Sequence, residues 1–247
     1  MKRILAFGMA VLFGMSLSMT HVTSAEAASY KMNGTDLIMK MDEDSWYVFT
    51  RDNLKDNAQL DELGITYEYL SEFMLNNYVY MDAITWKENE ETIELIVRKK
   101  SLEGVSNLSN HSDKEVMELG EELAKKQKDA EYRIFENAYK FVQLEYQDLG
   151  FHINEYVTVV NGENYTFTFQ TTGEYNDQDY QEMEEIIDNV SFDVDEELEK
   201  EIEKEAEKER DKSVLNAGLN GALRGAVVGG IAGGIGVLLR KKKGKKK

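Results

Sequence analysis

Cysteine and proline are both absent from these 247 residues, and only three residues are histidine. Without cysteine there is no disulfide framework, thiolate zinc site, thiol nucleophile or lipid-modified cysteine. Without proline, the turns must be made by Gly, Asn and Asp. Beyond the first 27 residues the histidines are His111 and His152, in different segments and in no H-E-x-x-H spacing, which removes the usual zinc-hydrolase pattern. There is no Gly-x-Ser-x-Gly elbow and no phosphate-cradling glycine loop behind a strand. Asp177 and Asp179 do not complete an EF-hand loop and read as a helix start. Acidic pairs are frequent, but in a chain this rich in glutamate they read as a solvated face and not as a glycosidase dyad. No enzymatic activity and no cofactor are expected.

Charge is divided sharply along the chain. Residues 28–213 hold 19 Lys and Arg against 46 Asp and Glu, a net of −27, whereas residues 214–247 are at +8. A body this acidic repels nucleic acid and attracts cations or basic partners, and the basic tail suits an anionic membrane leaflet. Nucleic acid is therefore not an expected partner.

Long apolar runs occur only at the two ends. Lys2 and Arg3 precede an apolar run from Ile4 to about Leu17, followed by the small-x-small site Ala25-Glu26-Ala27. This has the form of a secretory signal peptide over residues 1–27, cleaved after Ala27. At the other end, Leu215 to Leu239 spans 25 residues, enough at about 1.5 Å per residue to cross a hydrocarbon core of roughly 30 Å. Residues 214–239 read as one transmembrane helix in contact with membrane lipid. Residues 240–247, including Arg240, Lys241, Lys242 and Lys243, read as a basic cytoplasmic tail. Arg224 lies about 22 Å above Leu239, so it sits within roughly 8 Å of the outer edge and leans toward it. The bulk of the chain is then expected outside the cell membrane in a single-pass protein.

Gly221, Gly225, Gly229 and Gly233 recur every four residues inside that span, with Ala222, Ala226, Gly230 and Gly234 beside them. Such rows let two helices approach closely in lipid, so a homo-oligomer through the span is expected. Between the domain and the span, residues 193–213 are mostly Glu and Lys and read as a charged helical stalk, with Glu197-Lys200, Glu201-Lys204, Glu205-Lys208 and Glu209-Lys212 as supporting pairs. Leu198, Ile202 and Ala206 form a thin row suited to pairing with a second stalk as a coiled coil.

Residues 28–192 are long enough for one domain with a single core. Leu37 to Met41 alternates as a strand, and Trp46 to Thr50 makes a second, the two forming a first hairpin. Ile65, Tyr69, Leu70, Phe73 and Met74 fall at helical spacing and end near Asn76-Asn77. A second hairpin joins Tyr78–Thr85 to Thr92–Arg98. Ser112-Asp113-Lys114-Glu115 is a capping-box pattern opening an apolar stripe at Val116, Leu119 and Leu123. The stripe lapses at Lys125–Asp129 and resumes through Ala130, Ile134, Ala138, Phe141 and Leu144, as one long helix or two joined, stopped by Gly150. Asn161-Gly162 then marks a type I′ hairpin in which Thr158 faces Tyr165 and Tyr156 faces Phe167. Its aromatic face is expected to pack on a helix from Asp177 to Val190 through Tyr180, Met183, Ile187 and Val190.

Trp46, Trp86, Tyr78, Tyr80 and Tyr146 read as core or hairpin packing before they read as a ligand groove. Asn-x-Ser/Thr sequons stand at Asn33, Asn107, Asn110, Asn164 and Asn189.

The segment Glu155-Tyr156-Val157-Thr158-Val159-Val160-Asn161-Gly162-Glu163-Asn164-Tyr165-Thr166-Phe167, followed by Ile186-Ile187-Asp188-Asn189-Val190-Ser191-Phe192, resembles the PsbP and DcrB-like fold over most of residues 30–192. Ser45 stands before Trp46 where such domains often place a proline. The resemblance implies an α+β domain, an antiparallel β-sheet flanked by helices, that serves as a non-enzymatic accessory or docking unit. No site residue transfers with it. The functional expectation is an anchored extracytoplasmic binding module with an unidentified partner. The alternative is an oligomer whose glycine rows build a channel or permeabilising assembly.

Overall fold

The computed structural model describes residues 27–208, apart from 56, 88–90 and 103–104. In chain order its strands and helices are β1 (Ala28–Lys31), β2 (Leu37–Met41), β3 (Tyr47–Thr50), α1 (Ala58–Leu63), α2 (Tyr67–Asn76), β4 (Val79–Trp86), β5 (Thr92–Ser101), α3 (Asp113–Ala124), β6 (Glu131–Glu136), β7 (Lys140–Asp148), β8 (Phe151–Val160), β9 (Glu163–Thr171), α4 (Asp177–Asp188), β10 (Ser191–Phe192) and α5 (Glu196–Lys208). The expected α+β class, antiparallel sheets flanked by helices, is what these elements build. A seven-stranded sheet runs β3-β4-β5-β9-β8-β7-β6, and a three-stranded sheet runs β1-β2-β10.

The Asn-Gly hairpin organises the centre. Asn161 and Gly162 take φ of 53° and 73°, the left-handed pair that a type I′ turn needs. Thr158 duly faces Tyr165, and Tyr156 faces Phe167. The capping box also forms: Glu115 N donates to Ser112 Oγ at 3.4 Å, and Ser112 N donates to Glu115 Oε2 at 2.9 Å. Asp177 and Asp179 do open a helix, with Asn176 as its cap and Asp179 as the reciprocal partner.

Two expectations fail, each for a physical reason. β2 and β3 are not a hairpin, because β2 pairs with β1 and β10 while β3 pairs with β4. Between them Asp42 makes a tight turn, its carbonyl accepting from Ser45 N and Trp46 N. The chain thereby changes sheets and drops Trp46 into the core, 3% exposed, where Nε1 donates to Glu182 Oε1 at 2.7 Å. The indole gains burial and a hydrogen-bond partner at once.

The second failure is the stretch from Ala130 to Leu144, which is no helix but the antiparallel pair β6 and β7. Residues 141–144 are buried on both sides of the sheet, so the apolar run fits a period of 3.6 as well as a period of 2. Composition decides for strands: Tyr132, Ile134, Phe135, Tyr139, Phe141, Val142 and Tyr146 are aromatic or β-branched. Asn137 makes the turn, its Oδ1 accepting from Tyr139 N at 2.8 Å.

Both faces of the large sheet are covered. On one lie α4 and the small sheet, around Met39, Phe167, Phe169, Met183, Ile187 and Phe192. Met183, Ile187 and Val190 point inward as expected, whereas Tyr180 stays at the rim and Ile186 is buried in addition. The other face is shared. α1 and α2 cover Val79, Ile84 and Ile96 with Leu60, Leu70 and Met74, and α3 covers Val142, Leu144 and Val157 with Val116, Leu119 and Leu123. Gly120 lets α3 sit close to β6, since a Cβ there would meet the Tyr132 ring at 2.7 Å.

Packing continues past Phe192. The charged stretch is helical over Glu196–Lys208, and its first turns lie against the domain. Glu199 accepts from Asn107 Nδ2 at 2.9 Å, Glu203 accepts from Ser106 Oγ at 3.0 Å, and Ile202 covers Gly162.

Candidate functional site

Polar features interrupt this packing among the described residues. The first is a buried seam between the α1/α2 cluster and the α3 cluster. Strand register assembles it: Glu94 of β5 stands opposite Gln170 of β9, Arg98 opposite Thr166, and Glu155 of β8 opposite Thr168. Asp82 of β4, opposite Ile96, joins the same face. Arg98 Nη2 reaches Glu155 Oε2 at 3.2 Å and Thr168 Oγ1 at 3.1 Å, and Thr168 donates to Glu155 at 2.9 Å. Gln170 Nε2 donates to Glu94. Burial pushes the Glu155 carboxyl above the usual carboxylate range, while Arg98 and the Thr168 hydroxyl pull it back without cancelling the effect. From α2, the Tyr69 phenol is raised by burial and then by the charges of Glu94 and Asp82. The Arg98–Glu155 pair ties β5 to β8 across the intervening β9, so the seam is a cross-sheet fastener.

The second feature is a surface hollow of 290 Å³ between β6, β7 and α4, lined by Glu131, Tyr132, Arg133, Gln143, Glu145 and Tyr180. Through Glu131 and Glu145 it continues into a 590 Å³ concavity that runs past Asp148 to His152. Its floor is a fixed polar chain. Arg133 Nε donates to Gln143 Oε1, and Gln143 Nε2 donates to Asn154 Oδ1 at 2.9 Å and to Tyr156 Oη at 3.1 Å. Arg133 Nη2 also pairs with Glu184 of α4 at 2.7 Å. Tyr156 is pushed up to about 12, chiefly by burial. Tyr180 donates its hydroxyl to Glu145 and is raised by burial and by that carboxylate. Glu131 stands directly opposite Glu145, a like-charge pair that costs stability. Sequence reasoning missed this hollow because it read 130–144 as helical; the alternation in Glu131-Tyr132-Arg133-Ile134-Phe135-Glu136 was the available signal.

The five aromatics considered as a groove are dispersed. Trp46 and Tyr146 are buried, Arg51 stacks on Tyr80 at 3.9 Å, and Tyr78 is exposed beside Lys100. Trp86 stands at the end of β4, packed edge-on with Tyr47 at 5.1 Å, next to a 410 Å³ hollow where Lys87 Nζ donates to Asp179 Oδ2 at 2.7 Å. His111 lies 3.9 Å from Glu115, and His152 meets the Gln147 amide, so the histidines do not converge. Among the described residues no three His, Cys, Asp or Glu side chains group as a metal site. Of the sequon asparagines, Asn107 and Asn164 are buried. Ala27 is exposed just before β1. Ala25, Gly221, Gly225, Gly229, Gly233, Arg224, Arg240, Lys241, Lys242 and Lys243 lie outside the described residues.

No family model and no curated protein matches the chain. Among solved structures, the chain is similar to the solution structure of cyanobacterial PsbP (CyanoP) from Synechocystis sp. PCC 6803. The two are 15% identical with a TM-score of 0.40, covering 71% of this chain and 97% of that one.

Proposed function

We propose that this chain is a single-pass, membrane-anchored binding module: a non-enzymatic α+β domain held outside the cell, with its C-terminal tail in the cytoplasm. The observation behind this reading is the distribution of apolar and basic residues. A basic-apolar-small leader precedes the domain, and an apolar run ended by seven basic residues follows it. Among the described residues no helix is long and apolar enough to cross a membrane; the proposed span, residues 214–239, is read from the sequence and lies outside them. The docked start of α5 adds support, since Glu199 and Glu203 fasten to the domain the helix that leads toward the span.

Protease added to intact cells tests this reading. Residues 28–212 should be lost, while a tag placed after Lys247 stays protected. Digestion of that tag in unbroken cells reverses the topology, and turnover of a small substrate by the purified chain removes the non-enzyme reading. The four-residue glycine row from Gly221 to Gly233 favours a second reading, a permeabilising assembly. Dye release from vesicles by residues 212–247 supports it, and vesicles that stay sealed count against it.

A further inference from the structure

The two edges of the seven-stranded sheet are treated differently. At β3 the edge is closed from within: Asn53 Nδ2 donates to Val48 O at 3.0 Å, and Asn53 Oδ1 accepts from Thr50 N at 2.7 Å. At β6 there is no such closure among the described residues. Among the described residues its backbone pairs with β7 alone, in an unbroken register from Glu131 to Glu136. An open edge normally invites pairing and is blunted by a bulge, a proline or an outward charge. β6 has neither bulge nor proline, and its outward charges are the exposed carboxylates Glu131 and Glu136 beside Arg133, which turn away an acidic strand and favour a basic one. Arg133, its one cation, is turned onto Gln143 and Glu184.

We infer that β6 is a docking edge for an extended, basic segment of a partner protein, which adds as an eighth strand and places a Lys or Arg side chain in the hollow between Glu131 and Glu145. Strand addition gives affinity through main-chain bonds and specificity through the pockets that alternate side chains enter. The 290 Å³ hollow opens beside this strand, on the face toward which Glu131 and Arg133 point. Glu131 and Glu145 face each other with no cation partner among the described residues, so an incoming ammonium or guanidinium relieves a repulsion already present in the free domain. Charge also selects between occupants. Two copies of a body at −27 repel each other, whereas a basic strand is drawn in over long range.

This inference rests on the reading of the chain as a binding module, but its test does not depend on topology. The full chain in lipid nanodiscs is titrated with a fluorescent ten-residue peptide of alternating Lys and Val, and with the same peptide carrying Glu for Lys. Binding of the first and not of the second is expected. Methylating all the backbone amide nitrogens of the peptide, which blocks strand pairing in either direction but keeps every charge, should weaken binding by about tenfold or more. The variant E131Q/E145Q should lose about tenfold, while E118Q/E121Q on the exposed side of α3 removes the same charge and should lose less than about twofold. The methylated peptide reads the edge on the unaltered chain, so the test survives misfolding of a variant. Absent binding of the Lys peptide, equal binding of its methylated form, equal losses in the two variants, or a chain already dimerised through β6 overturns the inference. If protease shaving contradicts the topology while the Lys peptide still binds as described, the edge stands and the anchoring falls. The reverse pattern removes only the edge.

Discussion

The β3-β4-β5 half of the large sheet is finished, and the β8-β7-β6 half is not. In the first, α1 and α2 cover the face and Asn53 closes the edge. In the second, α3 covers one face, α4 leaves a hollow on the other, and the edge strand lies open. The halves meet at the seam, where Arg98 holds Glu155 across β9.

The largest expected effect comes from parting the halves. Arg98→Met leaves the Glu155 carboxyl buried without its cation and should cost about 3 to 5 kcal/mol in urea denaturation of the full chain. Arg98→Met/Glu155→Leu should recover most of that loss, because a buried ion pair replaced whole by apolar groups is often neutral or better. Next is the helix that covers the unfinished half. Leu119 is 1% exposed, and Leu119→Ala should cost about 2 to 5 kcal/mol by the same measurement.

The seam should also set a pH dependence. Glu155 has an ordinary value near 4.5 and a higher one when folded, so the folded protein binds this proton more tightly than the unfolded chain. Its contribution to stability is therefore complete below about pH 4.5 and is lost as pH rises through the folded value. Denaturation midpoints from pH 4 to 8 should show this decline, and Glu155→Gln should flatten it. A smaller effect is expected at the finished edge. Asn53→Ala gives Thr50 N and Val48 O back to water and should cost about 1 kcal/mol, making the two edges alike.

What was legible in the sequence was local. Asn161-Gly162, the Ser112 box, the helix before Asn76 and the β4–β5 hairpin each depend on residues a few positions apart, and each formed as expected. What depended on distant partners was not legible. Phe141 to Leu144 has no periodicity of its own because both sides of β7 are buried, and the partners that bury it lie on α3, α4 and β8. The crossing from β2 to β3 turns on Trp46 finding Glu182, 136 residues away. The docking of α5 likewise requires Asn107 and Ser106 to meet Glu199 and Glu203. The hollow was hidden with them, since Glu131 and Glu145 become neighbours only once β6 and β7 are strands.

That one edge is closed and the other open is tested most directly by amide hydrogen exchange on the full chain, resolved residue by residue. The Thr50 amide should exchange slowly in the native protein and quickly in Asn53→Ala. Along Glu131–Glu136, alternate amides should exchange quickly in the native protein, because those facing away from β7 have no partner among the described residues. Slow exchange at every amide of β6, in a chain shown to be monomeric, would contradict an open edge and the recognition assigned to it.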